Sequence, residues 1–107
     1  MATSPTQLSL KRLRDAGFKA GVVEKWNMHA KIRQDFLGFV DIIGVGELGT
    51  IAVQSTSYSN VSSHIKKIED PKLAENLAAV RKAGWTIEVH GWRKVKNRWQ
   101  CRVVDLS

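Results

Sequence analysis

The chain carries 107 residues, with 17 Lys and Arg against 10 Asp and Glu, a net charge of +7 and 43 % hydrophobic residues. Such a length holds one domain with one modest core, and such a composition excludes wholesale disorder. No apolar run approaches the roughly 18 residues that span a bilayer, no secretory apolar region opens the chain, and the lone Cys101 excludes an internal disulfide and a cysteine zinc cluster.

Ser4-Pro5-Thr6-Gln7 predicts a helix start, with Ser4 as N-cap, Pro5 in the first helical position and Gln7 completing a capping box. Leu10 and Leu13 share one face, Lys11, Arg12 and Arg14 point elsewhere, and Gly17 supplies the stop. Residues 21–26 (GVVEKW) read as a short strand. Residues 27–38 (NMHAKIRQDFLG) show no clean period and read as a loop bearing His29, Lys31 and Arg33.

Phe39 to Val45 and Thr50 to Gln54 read as strands joined by Gly46-Glu47-Leu48-Gly49. A polar run from Ser55 to Asn60 leads into a helix with Val61, Ile65 and Ile68 at helical spacing. Asp70-Pro71 starts another, with Leu73, Leu77 and Val80 on its buried face and Gly84 at its end. Residues 85–90 and 99–106 alternate as strands on either side of a basic turn, Lys94 to Arg98. The order predicts a single α/β domain, a mixed sheet with helices against it and room for a parallel crossover through the helices.

Two polar residues interrupt the apolar pair of strands. Asp41 is flanked by Phe39, Val40, Ile42 and Ile43, where a carboxylate is costly to bury without a cation or a donor. Gln54 closes the second strand, and a hairpin brings the two side chains together. Asp41 reads as a metal or phosphate ligand, or else as an exposed strand residue partnering Arg33. Gln54 reads as a ligand or as the cap of a strand end. Cys101 falls in a strand pattern and reads as a reduced, packed thiol, so an intracellular, cytoplasmic site of action is expected.

The αβββαβ order, the Asp on the second strand and the amide ending the third resemble the PD-(D/E)XK nuclease superfamily, which has the restriction-endonuclease-like fold. Residues 33–41 (RQDFLGFVD), 53–57 (VQSTS), and Gly84-Trp85 with 90–94 (HGWRK) resemble its small phage-type, Holliday-junction-resolvase-like members, from about Leu8 to Leu106. The resemblance implies a mixed sheet with an extra C-terminal strand. It also implies a metal-dependent DNA endonuclease that hydrolyses phosphodiester bonds, in branched or replication and recombination DNA, in a phage-infected or bacterial host cell.

Mg²⁺ (or Mn²⁺) would then be held by Asp41, Gln54 and the Ser55 carbonyl, with Glu24 or Asp35 as a further carboxylate; no organic cofactor is expected. A hard cation takes oxygen ligands of these kinds. The family's lysine position holds Thr56, which brings no positive charge. Lys66 or Lys67 on the following helix, or Lys25 and Lys31 before Asp41, are the candidate replacements, and Thr56 reads as a water-positioning group or a plain turn residue. The alternative is a nuclease scaffold that has lost its lysine and binds DNA without cutting it. A third reading sets the basic surface against an acidic protein.

A small basic domain favours polyanion partners, because long-range attraction raises encounter rates with nucleic acid, although many such domains bind none. Contacts to a DNA backbone are expected from Lys31, Arg33, Lys67, Arg93, Lys94, Lys96 and Arg98, and from free N–H groups near Ser57 and Asn60. The same residues also read as solvated faces and helix caps. Trp26, Trp85, Trp92 and Trp99 read as sheet packing ahead of base stacking. A homodimer fits a domain too small to cover much DNA alone.

Overall fold

The computed structural model describes residues 3–107. Helix α1 (Pro5–Asp15) starts as its sequence predicts, with the Gln7 N–H donating to Ser4 Oγ at 3.2 Å and Pro5 in the first turn. Strand β1 (Lys19–Val22) then enters the main sheet. The expected strand over 21–26 breaks in two: the Val23 N–H still donates to the Asp41 carbonyl at 2.8 Å, after which the chain leaves the sheet at Glu24. It continues as β2 (Lys25–Asn27), paired antiparallel with β3 (Ile32–Gln34).

This small hairpin corrects the loop expected over 27–38. Its residues are exposed on both faces apart from Asn27, and strands show hydrophobic alternation only where one face is buried.

Strands β4 (Ile42–Gly46) and β5 (Gly49–Ser57) pair antiparallel. Strand β5 continues three residues past Gln54, so Ser55, Thr56 and Ser57 belong to a strand, and Ser55 and Thr56 are buried. A single 3₁₀ turn leads into α2 (Val61–Ile68). Asp70 caps the next 3₁₀ turn, accepting from the Lys72 N–H at 2.8 Å, and α3 (Ala74–Lys82) follows. Strands β6 (Thr86–Val95) and β7 (Arg98–Asp105) close the chain as a hairpin. Their two-residue turn has Lys96 and Asn97 at φ 49° and 63°, as tight hairpin turns demand.

The main sheet runs β1-β4-β5-β6-β7. Only β5 and β6 are parallel, from Ile51↔Thr86 to Ser57↔Trp92, and α2 and α3 supply the crossover that a parallel pair needs. One core joins Phe39, Val40, Ala52, Val61, Ile68, Leu77, Val80, Ile87 and Val89 under α2 and α3; another joins Leu13, Ile42, Ile51 and Val53 under α1. The molecule is therefore three layers, helix on sheet on helices. Alternation along β5 divides its side chains between the two outer layers. Ile51, Val53 and Ser55 face α1, whereas Ala52, Gln54 and Thr56 face α2 and α3. Among the described residues, no helix is long and apolar enough to cross a membrane.

Candidate metal centre

Two turns assemble three carboxylates from distant parts of the chain. Phe36 and Val40 exchange backbone hydrogen bonds of 2.9 Å around Leu37 and Gly38, whose φ values are 57° and 85°. That tight turn folds Asp35 back beside Asp41. In the β2–β3 hairpin Lys25 pairs with Gln34, so Glu24 and Asp35 flank the hairpin's base. Carboxylate oxygens of Glu24, Asp35 and Asp41 thereby lie within 4.8 Å of one another, a cluster able to hold a metal ion.

Asp41 is 4 % exposed. Its Oδ2 accepts from Gln54 Nε2 at 2.8 Å and from the Ser55 N–H at 3.0 Å. Burial pushes its pKa up to about 8; hydrogen bonding with Asp35 and the negative charges of Asp35 and Glu24 add to the rise, while the Ser55 N–H opposes it. At neutral pH the Asp41 carboxyl therefore holds a proton when no cation replaces it. Gln54 is equally buried, and its Oε1 has no hydrogen-bond partner. A buried carbonyl oxygen left without a donor costs about 1–3 kcal/mol, and it is the kind of atom a hard cation takes. The donor set is thus all oxygen, the kind a hard cation takes.

Two cations border the cluster. Arg33 Nη1 lies 2.8 Å from Glu24 Oε1, and Lys67 Nζ on α2 lies 3.2 Å from Asp35 Oδ2. Of the two helix lysines considered from sequence, it is Lys67 that meets a carboxylate; the Lys66 side chain is exposed and makes no hydrogen bond or ion pair among the described residues. His64, three residues before Lys67 and on the same side of α2, is half-buried with Nδ1 unpartnered. Burial lowers its pKa, Lys67 lowers it further and Asp35 opposes them.

Thr56, in the place of the family lysine, is buried on the same sheet face as Gln54. Ser57 and Asn60 cap the following turn and helix without side-chain hydrogen bonds. The remaining basic residues stand apart. Lys31 is at the β2–β3 turn. Arg93 covers the Tyr58 ring at 4.1 Å, Lys94 lies 5.6 Å from the Trp99 ring, and Lys96 and Arg98 are exposed at the far turn. None of these five is hydrogen-bonded to the cluster among the described residues.

The opposite sheet face holds a second polar group. Ser9 Oγ on α1 meets Ser55 Oγ at 2.8 Å, His90 Nδ1 at 2.9 Å and Trp92 Nε1 at 2.9 Å, and His90 Nε2 meets Glu88 Oε1 at 2.9 Å. The Glu88 carboxylate only accepts, which places a proton on Nε2. With the imidazole neutral, Nδ1 accepts from the Ser9 hydroxyl, and Ser9 Oγ accepts from Trp92 and Ser55, so every member is satisfied. Ser55 joins the two faces, its N–H on Asp41 and its hydroxyl on Ser9. A groove of about 850 Å³ between α1 and the sheet, lined by Arg12, Glu88, Trp92 and Trp99, includes no member of the carboxylate cluster.

Sequence reasoning brings Asp41, Gln54, Ser55 and Glu24 to one place, and the structure does the same. Sequence reasoning leaves Asp35 as an auxiliary carboxylate, reads His64 with Lys66 and Lys67 as a solvated helix face or a backbone-contacting patch, and passes over the Ser9 group. Two signals were available: Asp35 and Asp41 bracket a Gly-bearing turn symmetrically, and Ser9 lies four residues before buried Leu13 on the apolar side of α1. Comparison of the chain with protein-family models, with curated proteins and with solved structures gives no match.

Proposed function

We propose that this domain is a Mg²⁺- or Mn²⁺-dependent DNA endonuclease with a variant site. The convergence of Glu24, Asp35 and Asp41, with the buried Gln54 amide hydrogen-bonded to Asp41, carries the reading. These residues, with the Ser55 carbonyl, would hold the cation. When bound, such an ion supplies an activated water and neutralises charge that develops on the phosphate oxygens.

The chain's own residues divide the remaining work. The Ser55 N–H and Gln54 fix the Asp41 carboxyl in place. Arg33 and Lys67 bring positive charge to the rim, where a phosphodiester approaches an otherwise acidic site. Lys67 takes the role that Thr56 cannot, stabilising charge on the reacting phosphate. The net charge of +7 draws DNA to the domain.

One observation favours a second reading, DNA binding without cleavage. With a proton on Asp41, the anions Glu24 and Asp35 are already matched by Arg33 and Lys67, so the site is balanced without a metal. Incubating supercoiled and branched DNA with the protein in Mg²⁺ or Mn²⁺ separates the two. Nicking by wild type and none by Asp41→Ala supports the enzyme. DNA left equally intact by both proteins across a broad metal and substrate screen leaves the binding role.

A further inference from the structure

Trp26 is 55 % exposed, although an indole is normally among the most buried side chains. It belongs to the β2–β3 hairpin, a two-stranded sheet separate from the main one. Within that hairpin Trp26 lies opposite Arg33, so both side chains stand on one face. Glu24 and Asp35 lie just beyond the strand ends, two residues before Trp26 and two after Arg33. An ion pair joins Arg33 to Glu24. Trp26 thus stands two residues along the chain from Glu24, about 6.7 Å for extended backbone, which is close to one nucleotide of an extended chain.

We propose that Trp26 is a stacking platform for an unpaired nucleobase beside the phosphate held at the cluster, which makes single-stranded or locally unpaired DNA the substrate class. The location rests on the phosphodiester reading above; the stacking itself does not. Residues 25–34 include Lys25, Lys31 and Arg33 and no carboxylate, so the hairpin is charged to follow a phosphate backbone. Every base offers a π-face, so an exposed indole flanked by cations binds single strands with little regard to sequence. A base paired within duplex DNA has no free face to offer. Met28, 78 % exposed, adds apolar surface at the hairpin tip.

The test is fluorescence anisotropy in EDTA, so that cleavage cannot intervene, with three probes: labelled oligothymidine, the same strand built from abasic units, and a duplex of equal length. Wild type should prefer oligothymidine to both. Trp26→Ala should bind oligothymidine between about fivefold and a hundredfold more weakly and the abasic strand unchanged, while Trp26→Phe keeps most of the preference. Trp99→Ala, at an exposed tryptophan away from the cluster, should behave as wild type. An oligothymidine-to-abasic ratio that is the same in wild type and Trp26→Ala, or a duplex bound as tightly as the single strand, overturns the proposal. Mn²⁺ titration of wild type and Asp41→Asn is read separately: absence of metal binding counts against the nuclease reading and leaves the ratio to judge the stacking.

Discussion

Gln54 donates from Nε2 to Asp41 Oδ2 at 2.8 Å, while its own Oε1 stays buried and unpartnered. The donor end of the amide thus faces the carboxyl, an arrangement suited to a site without a cation. Turning the amide over would set Oε1 against Oδ2, two acceptors that only a proton or a cation can hold together. A cation held by both side chains would displace the Asp41 proton and turn the Gln54 amide.

The first prediction concerns that proton. Because the Asp41 pKa is raised to about 8, wild-type affinity for Mn²⁺ should climb with pH by up to about tenfold per unit below 8 and level off above it. Isothermal titration calorimetry in buffers of different ionisation heat should show a proton released on binding. Gln54→Glu adds a ligand charge and should tighten Mn²⁺ binding by on the order of tenfold. An affinity that stays flat across the range would refute the site as drawn.

The same proton sets a stability profile. A carboxyl whose folded pKa lies above its unfolded value makes the folded state bind more protons over the interval between them. Metal-free stability should therefore fall as pH rises from about 4 toward 8, by at most about 1.4 kcal/mol per unit. Asp41→Asn keeps an oxygen to accept from Gln54 and Ser55 and has no proton to lose. Its urea unfolding free energy should vary less over that interval and exceed wild type's near pH 8. Parallel profiles for the two proteins would mean that Asp41 is not the titrating group.

Lys67 and Lys66 make an internal comparison. Lys67 is three residues from half-buried His64 and meets Asp35, while Lys66 lies about a quarter-turn away and is exposed. Lys67→Met should slow cleavage by on the order of a hundredfold, with little loss of stability, because a half-exposed ion pair contributes about 0–1 kcal/mol. Lys66→Met should cleave normally. Equal rates for the two variants would remove Lys67 from the reaction.

These cases show where the sequence was legible. The capped start of α1, the apolar pair β4 and β5, the helical spacing of Val61 and Ile68 and the β6–β7 turn all carry local signals that the fold respects. Asp41 and Gln54 were visible because each is a polar residue in an apolar strand. The β2–β3 hairpin was not, since exposure on both faces erases the alternation by which strands are recognised. Choosing Lys67 over Lys66 needed the phase of α2 relative to the sheet, and that phase is set by tertiary packing. The Ser9 group joins residues that lie 46, 81 and 83 positions apart, a pairing that no local pattern encodes.

Ser9→Ala tests that group. It strips Trp92 Nε1, His90 Nδ1 and Ser55 Oγ of a common partner in a buried place. Each orphaned group costs about 1–3 kcal/mol, so chemical denaturation should show a loss of at least about 2 kcal/mol. Ser55 also holds Asp41 through its N–H, so Mn²⁺ affinity should fall in the variant even under conditions where it remains folded. A loss below about 0.5 kcal/mol, the scale of an ordinary surface substitution, would mean that water replaces the hydroxyl and that the group does not tie α1 to the sheet.

Helix α2 reaches its position because of a missing side chain. A Cβ on Gly91 would overlap Val61 Cγ2 and come within 3.2 Å of the Tyr58 backbone, so glycine allows the start of α2 to lie directly on β6. Val61 is fully buried there, and the same helix carries His64 and Lys67 to the cluster. Gly91→Ala should cost about 1–3 kcal/mol by overpacking and reduce cleavage by moving Lys67 away from Asp35. Val61→Ala removes the overlapping methyl groups, and combined with Gly91→Ala it should recover part of both losses, measured as a coupling in a double-mutant cycle. Strictly additive effects on stability would show that the two residues do not share the contact on which the placement of α2 depends.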